Sequence, residues 1–292
     1  MDLSFVKMHG CGNDYVFVDA MHWCRADLNR VDFAALARSI SNRHLSVGGD
    51  GLVVMLAAVR DDIDVRIRMF NADGSEGAMC GNAIRCVAMW LHQSERSDRC
   101  SRIMMQDRII DAEVLSSDAI RKQAIVRVSI GSPATVVPGA EGMSKFVRSV
   151  SLHDIQLLGR PVELTTVSMG NPHAILYVDD VELTSVDKLG PQIERHRAFP
   201  DRTNVEFVQV LGPDAAIVRV WERGSGETQA CGSGACAAAV AGWTQGLFAH
   251  DIPVRIQMRG GELLVRISDE HMVTLEGPAK ESFRGSLAFI EM

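Results

Sequence analysis

RMFNADGSEGAMCG (68–81) and RVWERGSGETQACG (219–232) are two versions of one device. With Arg68 laid on Arg219, Glu76 falls on Glu227, Cys80 on Cys231 and Gly81 on Gly232, while Phe70 meets Trp221. A second echo lies upstream of each, where Gly12-Asn13-Asp14 answers Gly170-Asn171-Pro172 at a similar offset. Two separate motifs repeated in the same order mark a chain built from two halves of similar size.

The surroundings of the repeat read alike. VRIRMF (65–70) alternates apolar and charged residues, as a half-buried strand does, and AIVRVWE (216–222) is its counterpart. A glycine-rich turn follows each strand and carries the cysteine. Beyond Cys80, Ile84, Val87, Ala88 and Leu91 fall at helical spacing; beyond Cys231, ACAAAVAGW is apolar on every side and predicts a helix buried at the centre of its half. Further short runs read as strands: YVFVDA (15–20), DGLVVML (50–56), QAIVRVSI (123–130), HAILYV (173–178), NVEFVQV (204–210), PVRIQM (253–258) and ELLVRI (262–267). DFAALARSI (32–40) reads as a surface helix. The expected fold class is α+β, with two pseudo-symmetric domains, each a curved, mostly antiparallel sheet wrapped around a central helix. GSPATVVPG (131–139) has the turn residues of a linker, which puts the first half at 1–131 and the second at 132–277. Gly277-Pro278 reads as a further break.

Composition narrows the classes. A net charge of −7, with no run of Lys and Arg, gives no electrostatic reason to expect nucleic acid or an anionic membrane as partner. The opening segment lacks the features of a signal peptide, and no window approaches the roughly 18 apolar residues of a membrane span; a cytoplasmic location is the expectation. The seven cysteines, Cys11, Cys24, Cys80, Cys86, Cys100, Cys231 and Cys236, are an odd number, which argues against a disulfide framework and leaves packing, metal binding or chemistry.

Chemistry is the reading that the repeat favours. Each repeated cysteine opens a helix and is followed by glycine. Free N–H groups there attract anions, and the same field favours thiolate over thiol, so a cysteine there can have a lowered pKa. If the halves face each other, a carboxylate can take N–H bonds from both helix starts, with one sulfur on each side of the adjacent carbon. One thiolate then removes a proton and the opposite thiol returns one to the other face, while the backbone donors hold the developing charge. Such a pair does the work usually given to pyridoxal phosphate, whose Schiff-base lysine finds no convincing phosphate-binding context among Lys7, Lys122, Lys145, Lys188 and Lys280. No cofactor and no metal is expected.

At these residues the chain closely resembles the diaminopimelate epimerases. MHGCGNDY (8–15), GGDGL (48–52), FNADGSEGAMCGNAIRC (70–86), MGNPHA (169–174), TNVEFV (203–208) and WERGSGETQACGSGACAA (221–238) match in the family's order. The resemblance implies epimerisation of LL-2,6-diaminopimelate to the meso form, in lysine and peptidoglycan precursor synthesis. It also implies a final segment, 278–292, that returns to the first domain, and a homodimer. It makes Cys80 and Cys231 the catalytic pair. Gly81, Asn82, Gly232 and Ser233 become donors to the reacting carboxylate. Asn13, Asn71, Asn171 and Asn204, with Glu222 and Arg223, become substrate contacts, which suits a small diamino dicarboxylic acid. His173 and Glu222 are the groups expected to tune the thiols, and Phe283 falls at a dimer-contact position. Gly51 stands where some members carry a substrate-contacting Gln, and Cys11 where an apolar residue is common; Cys11 is read as a spectator.

Other readings leave different traces. A proline or hydroxyproline racemase has His soon after the first Cys-Gly, where this chain has Asn82. A zinc module would use Cys80/Cys86 and Cys231/Cys236, of which only the second pair has ordinary ligand spacing. A binding protein without catalysis would hold an amino acid yet leave its α-proton unexchanged. Cys86 and Cys236, inside the helices, read as packing, and Arg85 as helix or interface structure.

Overall fold

The computed structural model describes residues 2–77, 80–250 and 252–288. The chain divides into two compact units, one of residues 1–128 with 277–292, the other of residues 129–276.

In the first unit the order is β1 (Asp2–Gly10), β2 (Asn13–Ala20), α1 (Arg25–Asn29), α2 (Phe33–Ile40), β3 (Gly51–Leu56), β4 (Val65–Asn71), α3 (Gly81–Gln93), β5 (Cys100–Met105), β6 (Arg108–Asp118) and β7 (Gln123–Gly131). The second carries β8 (Val147–Leu157), β9 (Arg160–Ser168), β10 (Pro172–Tyr177), α4 (Val186–Glu194), β11 (Asn204–Gly212), β12 (Ala215–Glu222), β13 (Gly226–Thr228), α5 (Gly232–Thr244), β14 (Val254–Met258) and β15 (Gly261–Ile267). The last strand, β16 (Val273–Ala288), begins in the second unit and ends in the first.

Strands β1 to β7 neighbour one another in chain order, and β16 returns to lie antiparallel to β1, from His9 opposite Lys280 to Asp2 opposite Ala288. In the second unit the order is β15-β14-β12-β11-β10-β9-β8, with β13 folded back on β12. Pairing is mostly antiparallel. The parallel exceptions include β2–β3, β4–β5, β10–β11 and β12–β14.

Both sheets are covered on two sides, and the sequence shows why. Every residue of β3 is buried, so GLVVML runs apolar without alternation. One cover is the helix that follows each repeated cysteine. Helix α3 touches β1, β5 and β6, and its residues Gly81–Leu91 are all buried; α5 touches β9, β10, β11, β14 and β15. The alanines of α5 let it lie close to its neighbours, and at Gly242 a Cβ would overlap the Phe248 ring. The other cover is amphipathic. Helix α2 is capped by the Asp32 carboxylate, which accepts from the Ala34 and Ala35 N–H groups at 3.0 Å each, and it buries Phe33, Leu36, Ala37 and Ile40 on Val16, Val18, Leu52 and Val54. Helix α4 buries Val186, Leu189 and Ile193 on Ala174, Leu176, Val205 and Phe207.

Strands β1, β5, β6, β8, β9 and β13 and helices α1 and α4 were not read from the sequence. Gly277-Pro278 does fall at the division between the units, but inside a strand, because β16 runs through it without interruption. Proline cannot donate to a ladder, but its carbonyl is used, accepting from Arg85 Nε at 3.2 Å. Helix α4 was hidden by its own Gly190-Pro191. The glycine is required there, since a Cβ would come within 2.5 Å of Trp221 Cγ.

Candidate active site

The four identities of the repeat do the same work in each unit. Arg68 holds Glu76 through Nε and Nη2 at 2.9 and 2.8 Å; Arg219 holds Glu227 through the same two nitrogens at 2.8 and 3.1 Å. Each ion pair clamps the turn between a strand and its cysteine, with Glu76 bridging back to Phe70 and Glu227 paired with Trp221. Each cysteine is then the extended residue just before a helix of 13 residues. The Cys80 carbonyl accepts from the Ile84 N–H at 3.1 Å and the Cys231 carbonyl from that of Ala235 at 2.9 Å. The N–H groups of Gly81 and Asn82, and of Gly232 and Ser233, thus belong to first turns, where no earlier carbonyl of the helix can reach them.

Around Cys80 the first unit gathers Asn13, Asn82 and Asp50. The Cys80 Sγ lies 3.6 Å from Asn13 Oδ1, which also accepts from Asn82 Nδ2 at 3.0 Å. Asn13 Nδ2 donates to Asp50 Oδ2 at 2.7 Å, and the same oxygen accepts from the Asp14 N–H at 2.9 Å. Burial holds the Asp50 carboxyl above its usual range despite these donors. Arg43 bridges Asp50 and Asp14, and Lys7, buried behind them, pairs with Asp14 at 2.7 Å. Asn13 is delivered by a two-residue hairpin between β1 and β2, in which Cys11 and Gly12 both have positive φ, 53° and 79°. Beneath Asn82 lies Arg85, a fully buried guanidinium that donates from Nη2 to Asn82 Oδ1 at 2.7 Å. Arg85, read from sequence as helix or interface structure, also bonds a candidate site residue. Asn71, at the end of β4, donates to Ser75 Oγ at 2.9 Å within the clamped turn. Opposite it stands Gly51, where a Cβ would overlap the Phe70 carbonyl oxygen.

Around Cys231 the second unit gathers Asn171, His173, Ser233 and Glu222. The sulfur, in a residue only 6% exposed, lies 3.5 Å from Ser233 Oγ and accepts from the Gly234 N–H at 3.4 Å. Asn171 Nδ2 donates to Ser233 Oγ at 3.3 Å. His173 sets Nε2 3.0 Å from Asn171 Oδ1 and Nδ1 2.7 Å from Glu206 Oε1. Asn204 is partnered with backbone in two directions, accepting from the Arg223 N–H at 2.9 Å and donating to the Pro172 carbonyl at 3.0 Å. Glu222 accepts from Thr228 Oγ1 at 2.5 Å. Arg223 is exposed and donates to the Asp201 carbonyl at 3.0 Å. The loop that presents Glu222 and Arg223 is held from below by the buried Glu194, which accepts from Trp221 Nε1 at 2.8 Å and from the Gly224 N–H at 3.0 Å.

The expected thiolate-favouring environment is reversed at Cys231. Burial first, and then the carboxylates of Glu222 and Glu206, push its pKa well above the ordinary thiol value; the donors Ser233 and Gly234 pull the other way and lose. The field of a helix start does not offset removal from water when two acids stand nearby. Cys86, wholly inside α3, is pushed up to about 12, chiefly by burial. Cys11 is raised as well, again by burial.

Three residues of these networks were not singled out from sequence: Asp50, Glu206 and Glu194. Asp50 sits in GGDGL and Glu206 in TNVEFV, segments already marked; an acid inside an otherwise apolar strand marks Glu206 as unusual but does not name its partner. Among the described residues no group of three or more His, Cys, Asp and Glu side chains forms a metal site. No helix among them is long and apolar enough to cross a membrane. Phe283, 48% exposed on β16, sets its ring edge-on to Phe5 at 6.0 Å.

Comparison with known proteins follows the same residues. Residues 5–136 and 165–281 match the sequence model of a family described as diaminopimelate epimerase. A diaminopimelate epimerase of Bacillus mycoides is 38% identical, covering 97% of this chain and 96% of its own. One of Halothermothrix orenii is 39% identical over 100% of both chains. Among solved structures, a predicted epimerase from Pseudomonas aeruginosa shares the fold at a TM-score of 0.70 and 16% identity, covering 99% of this chain and 100% of that one. A hydroxyproline epimerase from Agrobacterium vitis does so at 0.67 and 12%, covering 98% and 92%.

Proposed function

Because the chain belongs to the diaminopimelate epimerase family and is thereby an amino-acid epimerase, we propose that it converts LL-2,6-diaminopimelate to the meso form without a cofactor, with Cys80 and Cys231 as paired acid and base. The observation that carries the mechanism is the duplicated device: an Arg–Glu clamp, then a cysteine, then a helix start, once in each unit.

The chemistry requires two groups because inversion adds a proton to the face opposite the one that lost it. One sulfur, as thiolate, takes the α-hydrogen as a proton and leaves its electron pair on the carbon. The other, as thiol, gives its proton to that pair from the far side. The product leaves with one proton exchanged, and the enzyme ends with thiol and thiolate interchanged. The intermediate carries charge onto the substrate carboxylate, where the N–H groups of Gly81, Asn82, Gly232 and Ser233 offset it. The distal amino-acid end takes its contacts from Asn13, Asn71, Asn171, Asn204, Glu222 and Arg223. His173 and Glu222 tune the two thiols. The reading extends to a cytoplasmic enzyme of lysine and peptidoglycan precursor synthesis, and to a homodimer with Phe283 in its contact, which sedimentation of the intact protein checks.

The test is stereochemical. In D2O, LL-diaminopimelate should gain deuterium at the inverted carbon as meso product forms. Cys80→Ala and Cys231→Ala should each lower the rate roughly 10³-fold or more, the scale of a lost general acid or base. Inversion that persists in both single variants would reject the two-thiol mechanism. Binding of diaminopimelate with no deuterium uptake in the intact enzyme would reject the activity.

A further inference from the structure

Glu206 is a carboxylate in the network around Cys231 that the reaction as written does not use. It lies on β11 two residues from Asn204, so both side chains project from the same face of the strand. Parallel pairing sets Asn204 beside His173 on β10. The side chains of His173 and Glu206 are each 0% exposed, and they meet at 2.7 Å. The second Glu206 oxygen, Oε2, is also buried and makes no hydrogen bond among the described residues. A carboxylate in this position is an expensive way to fill space, since an aliphatic side chain would spare the cost of removing a polar group from water.

Its neighbours show what the carboxylate does. Asn171 Oδ1 is an acceptor only, so the His173 Nε2 that faces it at 3.0 Å must carry a hydrogen. Between His173 Nδ1 and Glu206 Oε1 there is likewise one hydrogen. Whichever atom it sits closer to, the ring is fixed with Nε2–H toward Asn171. The amide of Asn171 is thereby held with its nitrogen toward Ser233, and Ser233, accepting from that nitrogen, has its own hydroxyl hydrogen left to point at Cys231 Sγ 3.5 Å away. The first turn of α5 is cut to admit this arrangement. A Cβ on Gly234 would stand 2.6 Å from Glu206 Oε1, so only glycine lets the carboxylate come up beneath the helix start.

We propose that Glu206 is a positioning residue for the acid–base chemistry of Cys231, acting through the chain His173–Asn171–Ser233 by keeping hydrogen on the imidazole Nε2 that faces Asn171. This rests on the reading of Cys231 as an acid–base group. Removing the carboxylate frees the ring to carry its hydrogen on Nδ1, which turns a lone pair toward Asn171 Oδ1 and lets the amide and the hydroxyl rotate. Glutamine keeps the shape, and its N–H can donate to Nδ1, so the hydrogen stays on Nε2.

Glu206→Gln and Glu206→Ala separate these cases, with Glu206→Leu in place of the alanine variant should the latter not fold. Nitrogen-15 spectra of the imidazoles, taken without substrate and with His173 assigned from His173→Gln, should show Nε2 carrying hydrogen throughout in the parent and in Glu206→Gln. They should show a mixture of tautomers in the truncated variant. With diaminopimelate, truncation should lower kcat roughly ten- to a hundredfold, the usual effect of losing an orienting partner, with KM within about twofold, and Glu206→Gln should restore most of it. A truncated variant with parental kcat, or one whose imidazole spectrum is unchanged, overturns the assignment, as does a glutamine variant as slow as the truncated one. If diaminopimelate is not the substrate, the imidazole spectra still decide the role of Glu206, so failure of the activity and failure of this proposal are told apart.

Discussion

Gly51 faces Asn71 across the β3–β4 ladder with a backbone carbonyl where its side chain would stand. No rotamer removes that overlap, so Gly51→Ala should cost about 1–3 kcal/mol, the range for overpacked positions, and Gly51→Gln at least as much. Denaturant unfolding of the two variants checks this, and an unchanged midpoint for either would contradict the packing described. A larger side chain therefore cannot be introduced at this position by one substitution without shifting the β3–β4 ladder. At this scale the sequence was informative wherever residue type and local pattern suffice. Cysteine before glycine at a helix start, and asparagines in matching turns, could be read directly. Glu206 could not, because its partner His173 lies 33 residues away and meets it only through the parallel pairing of β10 and β11. The acidity of Cys231 was misread for a related reason: a helix start is local, whereas burial and the approach of Glu206 depend on the folded unit.

The Arg–Glu clamps recur in both units but differ in exposure. Arg68 and Glu76 are 41% and 37% exposed, Arg219 and Glu227 only 9% and 19%. Arg219 also donates to the carbonyls of Val181 and Thr184, and Arg259 reaches Glu227 at 3.0 Å. An exposed ion pair contributes about 0–1 kcal/mol, whereas hydrogen bonds to a charged group out of water contribute about 1.5–3 kcal/mol. Glu227→Gln should therefore destabilise by about 2 kcal/mol and Glu76→Gln by less than about 1 kcal/mol, measured by equilibrium unfolding; equal losses would show that burial does not set the difference. Among elements, strands with regular alternation and helices with a clear apolar stripe were legible. Strands β1, β5, β6, β8 and β9 went unread, as did helix α4 and the course of β16 through the unit boundary, where Gly190-Pro191 and Gly277-Pro278 carry the local signals of a break. In both places packing against other elements overrides the signal: Trp221 lies on Gly190, and Arg85 binds the Pro278 carbonyl.

For the whole molecule, the pairing of β16 with β1 ties residues near one end to residues near the other. Leu3 and Phe5 are buried beside this pairing, with Leu287 packed on the same cluster and the Phe5 ring 2.8 Å from where a Gly285 Cβ would be. Ending the chain after Gly277 should leave β1 with an open edge and the first unit prone to proteolysis, while residues 129–276 persist as a resistant fragment. Limited digestion with mass spectrometry checks this, and equal resistance of both units would count against it. The division into similar halves was legible from the duplicated motif. The return of the last strand was implied by resemblance and by no local feature of residues 278–288.

That pairing bears on how the chain matures on the ribosome. Domains generally fold as units in the order of synthesis, but here Asp2 waits for Ala288. The half translated first must remain incomplete, its edge strand uncovered, until residues 280–288 have been made, and the half made second has all its own strands sooner. A nascent chain paused before residue 280 is thus most exposed to misassembly through the open edge of β1, and that is where a chaperone would be needed.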